Sequence, residues 1–153
     1  MNNKINITNK KAKFEYEILD KYNAGIVLTG SEIKSIRLGK ASIAESFCEF
    51  NDSLELFIVN MTIENYSFSS TLNQIPKSTR KLLLNKKELL KLNKSVKNSG
   101  LTIIPLRVYL SEKGLAKIEI ALAKGKKLYD KRQTLIDRDN KRNLDRIKKE
   151  NKN

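Results

Sequence analysis

The sequence contains no histidine and a single cysteine, Cys48. One cysteine allows no disulfide within the chain, and a chain without histidine or cysteine pairs has no zinc ligand set of the usual kind. Histidine is also the side chain whose ordinary pKa lies nearest to neutral pH, so an enzyme would need an Asp, Glu, Lys or Tyr with a shifted pKa. We therefore expect no metal, no cofactor and no catalytic activity.

Long apolar runs are also missing. No stretch of about 20 apolar residues is present to form a membrane-spanning helix, and residues 1–8 lack the apolar core of a signal peptide. The sequence has no glycine-rich phosphate loop, and its aspartates and glutamates show no tight pairing or motif typical of a catalytic dyad. These absences predict a cytoplasmic protein with no membrane partner, and they disfavour a nucleotide-processing enzyme.

What the sequence has in excess is positive charge: 31 Lys and Arg oppose 17 Asp and Glu, for a formal net charge of +14. The last thirty residues, 124–153, hold twelve of these cations and five of the acids. This segment has too few apolar side chains to offset the conformational entropy that it would lose on folding alone. A basic arm beside a folded body favours nucleic acid as the partner, because lysines and arginines release counterions from phosphates.

The rest of the chain predicts one domain of mainly β structure, residues 1–123, followed by the basic tail, residues 124–153. Alternating apolar residues predict a strand over 14–18 that forms a hairpin with a second strand over 24–29, through a turn at 20–23. Further strands or extended stretches are expected over 42–50, 54–59, 61–68, 101–110 and 115–123. Five or six strands in a body of about 120 residues indicate a small antiparallel OB-like barrel, closed or partly closed.

One or two helices are expected to cap this barrel. Ser31 is the expected N-cap of a helix of barely two turns, which ends at Gly39. A longer helix is predicted after Asn85, whose spacing from Glu88 has the form of a capping box, and it is expected to end at Gly100. In the strand that follows, a proline at position 105 predicts an edge or a bulge.

Two basic segments of the barrel are candidate RNA-binding surfaces. The first places Lys34 and Arg37 on one helix face with Lys40 just beyond. In the second, Arg80 and Lys81 precede three leucines, so a strand anchored in the core would hold two cations in a fixed place. Both have a plain structural alternative, because cations on the solvated face of a helix or beside an apolar strand are common in soluble proteins.

A third basic segment, residues 124–132, begins the tail. Gly125 provides a hinge at the exit of the last strand, and Tyr129 offers a ring that can stack on a base. Further along, residues 135–149 contain acid-before-base pairs four positions apart and a thin apolar stripe. We expect this tail to become helical on a partner and to be disordered when free, because such a helix is marginal in water.

Taken in order, these segments resemble the SmpB family, the SsrA-binding proteins of bacterial trans-translation. The resemblance covers residues 8–147. Its most specific elements are Gly30-Ser-Glu-Ile-Lys-Ser-Ile-Arg37, Arg80-Lys-Leu-Leu-Leu84 and Ala123-Lys-Gly-Lys-Lys-Leu-Tyr-Asp-Lys-Arg132, together with Asn9 to Ala12 and Asn23 to Ile26.

The resemblance implies a monomeric OB-type barrel that binds the tRNA-like domain of tmRNA. Together with alanyl-tmRNA, and indirectly with elongation factor Tu, the protein would enter the A site of a ribosome stalled on an mRNA without a stop codon. Its tail would contact small-subunit rRNA in the decoding centre and the mRNA channel and substitute for codon–anticodon pairing. Ribosome rescue and peptide tagging would follow without a catalytic step by the protein itself.

The resemblance also carries over two sets of residues by position. The expected RNA-binding set on the barrel is Asn9, Lys10, Asn23, Gly25, Glu32, Lys34, Arg37, Lys40, Arg80, Lys81, Leu83, Lys117 and Lys124. The expected ribosome-facing set in the tail is Gly125, Lys126, Lys127, Tyr129, Asp130, Lys131 and Arg132.

The chain departs from the family pattern at a few positions. Members usually carry Glu where this chain has Asn23. Some members carry a histidine in the tail at the position where this chain has Tyr129. Two further histidines common in the family are missing. The alternative from another functional class is a generic single-strand RNA-binding OB module or RNA chaperone, which would share the charge and the barrel but have no preference for a tRNA-like fold.

Overall fold

The computed structural model describes residues 5–67, 75–97, 100–126 and 128–150. In chain order the elements are β1 Asn6–Thr8, α1 Ala12–Glu15, β2 Tyr16–Ile26, α2 Gly30–Arg37, β3 Ala41–Ser42, β4 Phe47–Phe50, β5 Leu56–Val59, β6 Thr62–Ile63, β7 Arg80–Leu83, α3 Lys86–Val96, β8 Leu101–Leu110, β9 Ala116–Gly125 and α4 Leu128–Glu150.

Six of the strands close into a barrel. Neighbours in the main sheet follow the order β1-β8-β4-β5-β7-β2-β9, and β8 also pairs with β9. That last pairing joins the two sides of the sheet, so the ring β8-β4-β5-β7-β2-β9 has no free edge, while β1 lies against the second half of β8. The strand pairs are antiparallel throughout. The small antiparallel barrel predicted from the sequence is confirmed.

The barrel interior is filled by aliphatic side chains that alternate with outward-facing polar ones. On β2 the buried residues Tyr22, Ala24 and Ile26 alternate with the exposed Lys21 and Asn23. Helices α2 and α3 each contribute a fully buried side chain to the same core, Ile36 and Leu92 respectively. A second, smaller cluster lies under α1 and consists of Ala12, Ile104, Ala121 and Ala123. Helix α1 therefore covers the outside of the sheet where β8 meets β9.

The predicted hairpin at the start of the chain is wrong. Residues 16–26 form one continuous strand, β2, and no turn occurs at 20–23. The strand pairs along its length with β9, and a register shift between Ile18 and Asp20 absorbs one extra residue without reversing the chain. Asp20 and Asn23 favour turns in isolation, but sheet pairing outweighs that local preference. Phe14, placed in the first strand by its alternation, lies in α1 instead.

Helix α2 begins two positions earlier than the sequence suggests. Its N-cap is Thr29, not Ser31: the Thr29 Oγ1 atom accepts a hydrogen bond from the Glu32 backbone N–H, and Glu32 Oε1 accepts one from the Thr29 N–H. The helix ends before Gly39, whose φ of 75° is the left-handed conformation expected of a terminating glycine. Asn85 is confirmed as the N-cap of α3, since its side chain accepts from the Glu88 N–H.

The two closing strands agree with prediction. β8 has the predicted bounds, and the predicted irregularity at Pro105 appears as a register shift against β9 between Pro105 and Arg107. β9 continues to Gly125, because Lys124 and Gly125 still pair with Glu17 and Tyr16. Between α2 and β5 the predicted strand over 42–50 is two short strands, β3 and β4, in different sheets.

Beyond β9 the chain forms a single helix, α4, of 23 residues. Its side chains over 135–146 are exposed, and its contact with the body includes Arg138, whose guanidinium carbon lies 5.9 Å from the centre of the Phe14 ring. The tail therefore has the helical form predicted for it on a partner, and its disorder in the free protein stays a prediction. None of the described helices is long and apolar enough to cross a membrane.

Tyr22 and Asp20 form a hydrogen-bonded pair whose contribution to barrel stability is lost at alkaline pH. The Tyr22 hydroxyl is 2.9 Å from Asp20 Oδ2, to which it donates a hydrogen bond. Burial, and then this bond, raise the pKa of Tyr22 to about 12 from an ordinary value of 10.0, while the same bond lowers the pKa of Asp20. The unfolded chain therefore loses the tyrosine proton first as the pH rises.

We expect the contribution of the Tyr22 proton to stability to be complete below about pH 10 and to be lost as the pH approaches 12. The full loss is at most about 3 kcal/mol. Urea unfolding across this range is expected to show a steeper decline for the wild type than for Tyr22→Phe. Lysine deprotonation affects both proteins alike, so equal slopes would contradict the assignment.

Candidate nucleic-acid interface

Arg80 is the most constrained cation of the predicted RNA-binding set. Its side chain is 2% exposed, and its Nε donates to Glu32 Oε2 over 2.5 Å. Its Nη1 donates to the backbone oxygens of Met61 and Ser78, and its Nη2 donates to that of Pro76. Four of the five N–H groups of the guanidinium are thus used inside the protein.

This arrangement gives Arg80 and Glu32 a structural role. Glu32 uses one carboxylate oxygen to cap α2 and the other to hold Arg80, so α2 is joined to the segment before β7 and to the chain before β6. Both residues remain predicted members of the interface. Their geometry supports an indirect contribution, in which the buried ion pair fixes the orientation of α2.

The exposed side of α2 carries the cations that the sequence pattern predicts. Lys34 lies with its Nζ 5.6 Å from the centre of the Tyr66 ring, a cation–π distance. Arg37 extends toward the turn between β8 and β9, where its Nη2 is 3.5 Å from the Gly114 oxygen. Lys40 is also exposed, just beyond the end of the helix. The three side chains therefore form a row of positive charge at one end of the barrel.

A second group of predicted residues meets on the outer face of three adjacent strands. Gly25 of β2 pairs with Leu83 of β7 on one side and with Lys117 of β9 on the other. A side chain at Gly25 would place its Cβ 3.4 Å from Leu83 Cβ and 3.8 Å from Lys117 Nζ, so glycine keeps this spot open. Leu83 is about half exposed, at 52%. Two residues away on β2, Asn23 Oδ1 accepts a hydrogen bond from the Tyr109 hydroxyl at 2.9 Å.

Lys81 has an acidic partner in the structure. Its Nζ is 2.6 Å from Glu55 Oε2, and both side chains are roughly 40% exposed. Hydrogen bonding to Lys81 lowers the pKa of Glu55, which stays ionised under ordinary conditions. Lys81 can therefore contact an RNA phosphate only by leaving or sharing this carboxylate.

Asn9 and Lys10 lie between β1 and α1, next to β8. The Asn9 side chain donates to the Pro105 oxygen at 3.1 Å and its backbone N–H donates to the Leu106 oxygen, which fixes the turn between β1 and α1. Lys10 is exposed and lines a cleft beside α1. The sequence did not indicate the other cations of that cleft, because the assumed turn at 20–23 left Lys21 without a place on the sheet.

The base of the tail is tied to α1. The Lys126 backbone N–H donates to the Glu15 oxygen at 2.9 Å, and its Nζ donates to the Lys13 oxygen at 3.0 Å. Lys124 and Gly125 are exposed at the end of β9, and Arg132 is exposed on α4. Tyr129, Asp130 and Lys131 belong to the first turns of α4, and Lys127 lies outside the described residues. The described members of the predicted tail set thus lie at the end of β9 and in the first turns of α4.

The ion pair between Glu32 and Arg80 is expected to matter for stability far more than the one between Lys81 and Glu55. Removing one partner of a buried pair costs about 3–5 kcal/mol, whereas exposed pairs contribute about 0–1 kcal/mol. Urea unfolding of Arg80→Met should therefore show a loss of about 3 kcal/mol or more. Lys81→Gln, on the next residue of the same strand, is the matched control. Equal losses for both would show that Arg80 does not hold α2 in place.

Known proteins resemble this chain over most of its length. The family model described as SmpB protein matches residues 6–150. The SsrA-binding protein of Flavobacterium psychrophilum is 68% identical over 146 residues, covering 95% of this chain and 97% of that protein. The SsrA-binding protein of Agrobacterium fabrum is 49% identical, covering 97% and 92%.

The fold has a similar solved structure as well. A chain described as tmRNA-SmpB, from a study of the center of the bacterial ribosome, superposes with a TM-score of 0.67 at 44% identity, over 81% of this chain and 86% of that one. The sequence relationship extends over nearly the full length, and the structural match covers most of the chain. This chain therefore belongs to the SmpB family.

Proposed function

We propose that this protein binds tmRNA and acts in trans-translation on the ribosome, as an RNA-binding factor and not as an enzyme. The observation that carries the proposal is the similarity to SsrA-binding proteins over 95% of the chain, with a family match that extends from β1 to the end of α4. The chain supplies what such a protein needs: a barrel with exposed cations for a folded RNA and a basic helix for a second site.

The barrel surface is suited to recognise RNA by shape. The row Lys34, Arg37 and Lys40 on α2 and the open position at Gly25, beside Lys117, present positive charge on a firm scaffold. A folded RNA is read mainly through phosphates and 2′-hydroxyls, which a polar and cationic surface of this kind can contact. We assign this surface to the tRNA-like domain of tmRNA.

The tail is suited to a different part of the assembly. Helix α4 contains eight Lys or Arg and five Asp or Glu, and its described side chains are exposed. An extended cationic helix can follow a channel lined by rRNA phosphate. We assign residues 124–153 to the decoding centre and mRNA channel of the small subunit, where they take the place of codon–anticodon pairing. Because the ribosome is the site of action, we place the protein in the cytoplasm.

The delivery step involves further components. Alanyl-tmRNA reaches the stalled ribosome with elongation factor Tu, so this factor is an indirect partner of a monomeric protein. The outcome is rescue of a ribosome halted on an mRNA without a stop codon, with tagging of the unfinished peptide. A generic single-strand RNA-binding module or chaperone would share the barrel and its charge but have no preference for a tRNA-like fold.

The first functional expectation is selectivity. The protein should bind a transcript of the tRNA-like domain of tmRNA more tightly than an elongator tRNA at the same salt concentration. Electrostatic attraction alone treats the two RNAs alike, so a difference in affinity measures recognition of the fold of the RNA. Filter binding with the labelled domain, in competition with unlabelled elongator tRNA or single-stranded RNA, measures this difference. Equal competition by either RNA would favour the generic RNA-binding alternative.

The second expectation separates the tail from the barrel. Leu144 is 60% exposed in the second half of α4, so a proline there should disturb only this helix, at a cost of about 3 kcal/mol to it. Leu144→Pro is expected to keep the thermal stability of the barrel and the affinity for tmRNA but to reduce peptide tagging on stalled ribosomes. Leu144→Ala, which removes the side chain and keeps the helix, is the control. Normal tagging by the proline variant would show that a continuous helix is not required.

A further inference from the structure

The outer face of the barrel carries a cleft beside α1. Of the predicted RNA-binding residues, only Asn9 and Lys10 line it. Its volume is about 290 Å³, and we call it the α1 cleft. Its lining consists of Thr8, Asn9, Lys10, Ala12, Lys13, Lys21, Leu106, Arg107 and Glu119. We propose that the α1 cleft binds phosphate groups of an RNA backbone and extends the tmRNA interface to residues Lys13, Lys21 and Arg107. This inference rests on the proposed function.

The cations of the α1 cleft come from separate elements of the fold. Lys10 precedes α1, Lys13 lies within it, Lys21 extends from β2 and Arg107 from β8. Separate elements bring four positive charges around one concave surface, and Glu119 is the single acid in the lining. This arrangement is unlike a solvated helix face, where cations point away from one another into water.

The lysines of the cleft are free to take an anion. Within the described part of the chain, the side chains of Lys10, Lys13 and Lys21 have no carboxylate within ion-pair distance. Their ammonium groups are therefore hydrated in the free protein. An RNA phosphate that enters the cleft can replace this water and release its own counterions, which is the favourable term in RNA binding.

Arg107 is held in a fixed orientation at the wall of the cleft. Its guanidinium carbon lies 4.3 Å from the centre of the Tyr109 ring, and its Nε is 3.6 Å from Glu119 Oε2. Tyr109 is fixed in turn by its hydrogen bond to Asn23. Glu119 approaches the Nε side, and the two terminal nitrogens have no acceptor among the described residues. A guanidinium oriented in this way can donate two parallel hydrogen bonds to a phosphate.

The position of the α1 cleft makes it continuous with the predicted interface. Asn23 pairs with Glu119 on β9, and Glu119 pairs with Arg107 on β8, so the cleft adjoins the patch formed by Gly25, Leu83 and Lys117. Arg107 on β8 and Lys21 on β2 lie on either side of β9, so two strand spacings, roughly 10 Å, separate them across the sheet. An RNA strand carries a phosphate at every nucleotide, so one backbone segment that crosses β9 can contact both cations. The ligand class is therefore a polynucleotide backbone.

The test compares Lys21→Gln and Arg107→Gln with Lys94→Gln, which removes an exposed lysine on α3 outside the cleft. Affinity for the tRNA-like domain of tmRNA is measured over a series of potassium chloride concentrations. Each cleft variant is expected to bind about 3- to 10-fold more weakly and to reduce the slope of log affinity against log salt by about one, the signature of a lost phosphate contact. Thermal unfolding should stay close to that of the wild type. Arg107→Lys should recover part of the affinity, because it keeps the charge.

Three outcomes would overturn the inference. The first is wild-type affinity and slope in both cleft variants while Lys34→Gln binds weakly, which would leave the proposed function intact. The second is weaker binding with an unchanged salt slope, which would exclude phosphate as the ligand. The third is an equal loss in Lys94→Gln, which would reduce the effect to net charge. By contrast, a wild type that does not distinguish the tRNA-like domain from elongator tRNA would refute the proposed function and leave the cleft assignment to be judged on its salt slopes.

Discussion

The pairing of β2 with β9 is the interaction on which the rest of the molecule depends. It runs from Tyr16 opposite Gly125 to Gly25 opposite Lys117, and it is interrupted by one register shift. The inward side of this ladder supplies much of the core, including Tyr22 and Ile120. The outward side supplies the polar surface assigned to RNA. A single pair of strands thus joins barrel stability, the RNA surface and the origin of the tail.

The cations of this protein serve two physically different purposes. Arg80 is buried, and its donors are used by Glu32 and by backbone oxygens, so it orders the segments around α2. Lys34 and Arg37, on the surface of the same helix, retain donors that a ligand can use. A motif in which Glu32 and Arg80 occur together with surface cations therefore combines a scaffold with the groups that the scaffold presents. An arginine is suited to the buried position because its charge persists in every accessible pH range.

Features determined by neighbouring residues could be predicted from the sequence. Asn85 caps α3, Gly39 ends α2 and Pro105 marks a bulge, because each depends on backbone geometry within a few residues. The barrel as a class followed from the number and spacing of the apolar stretches. The family resemblance then supplied the site residues, which composition and periodicity alone did not give.

What could not be predicted depends on contacts between distant parts of the chain. The partners of Arg80 include Glu32, 48 positions away, so its burial is invisible to local pattern. The turn assigned to residues 20–23 was wrong because β9, about a hundred positions later, holds β2 extended. That error also concealed Lys21, whose outward position is apparent only once β2 is one strand. Arg107 was overlooked because its side chain gains significance from Tyr109 and Glu119 around it.

The attachment of Lys126 to α1 has a mechanical consequence. Because the Lys126 N–H and Nζ donate to Glu15 and Lys13, the first residues after β9 cannot swing freely about Gly125. The paired stretch between this anchor and Gly25 spans nine residue steps on β2, or about 30 Å at ordinary strand rise. The ladder is therefore a rigid spacer whose length is set by residue count. An insertion or deletion within the ladder would change the distance between two RNA sites that one molecule of this protein can bridge in a large assembly.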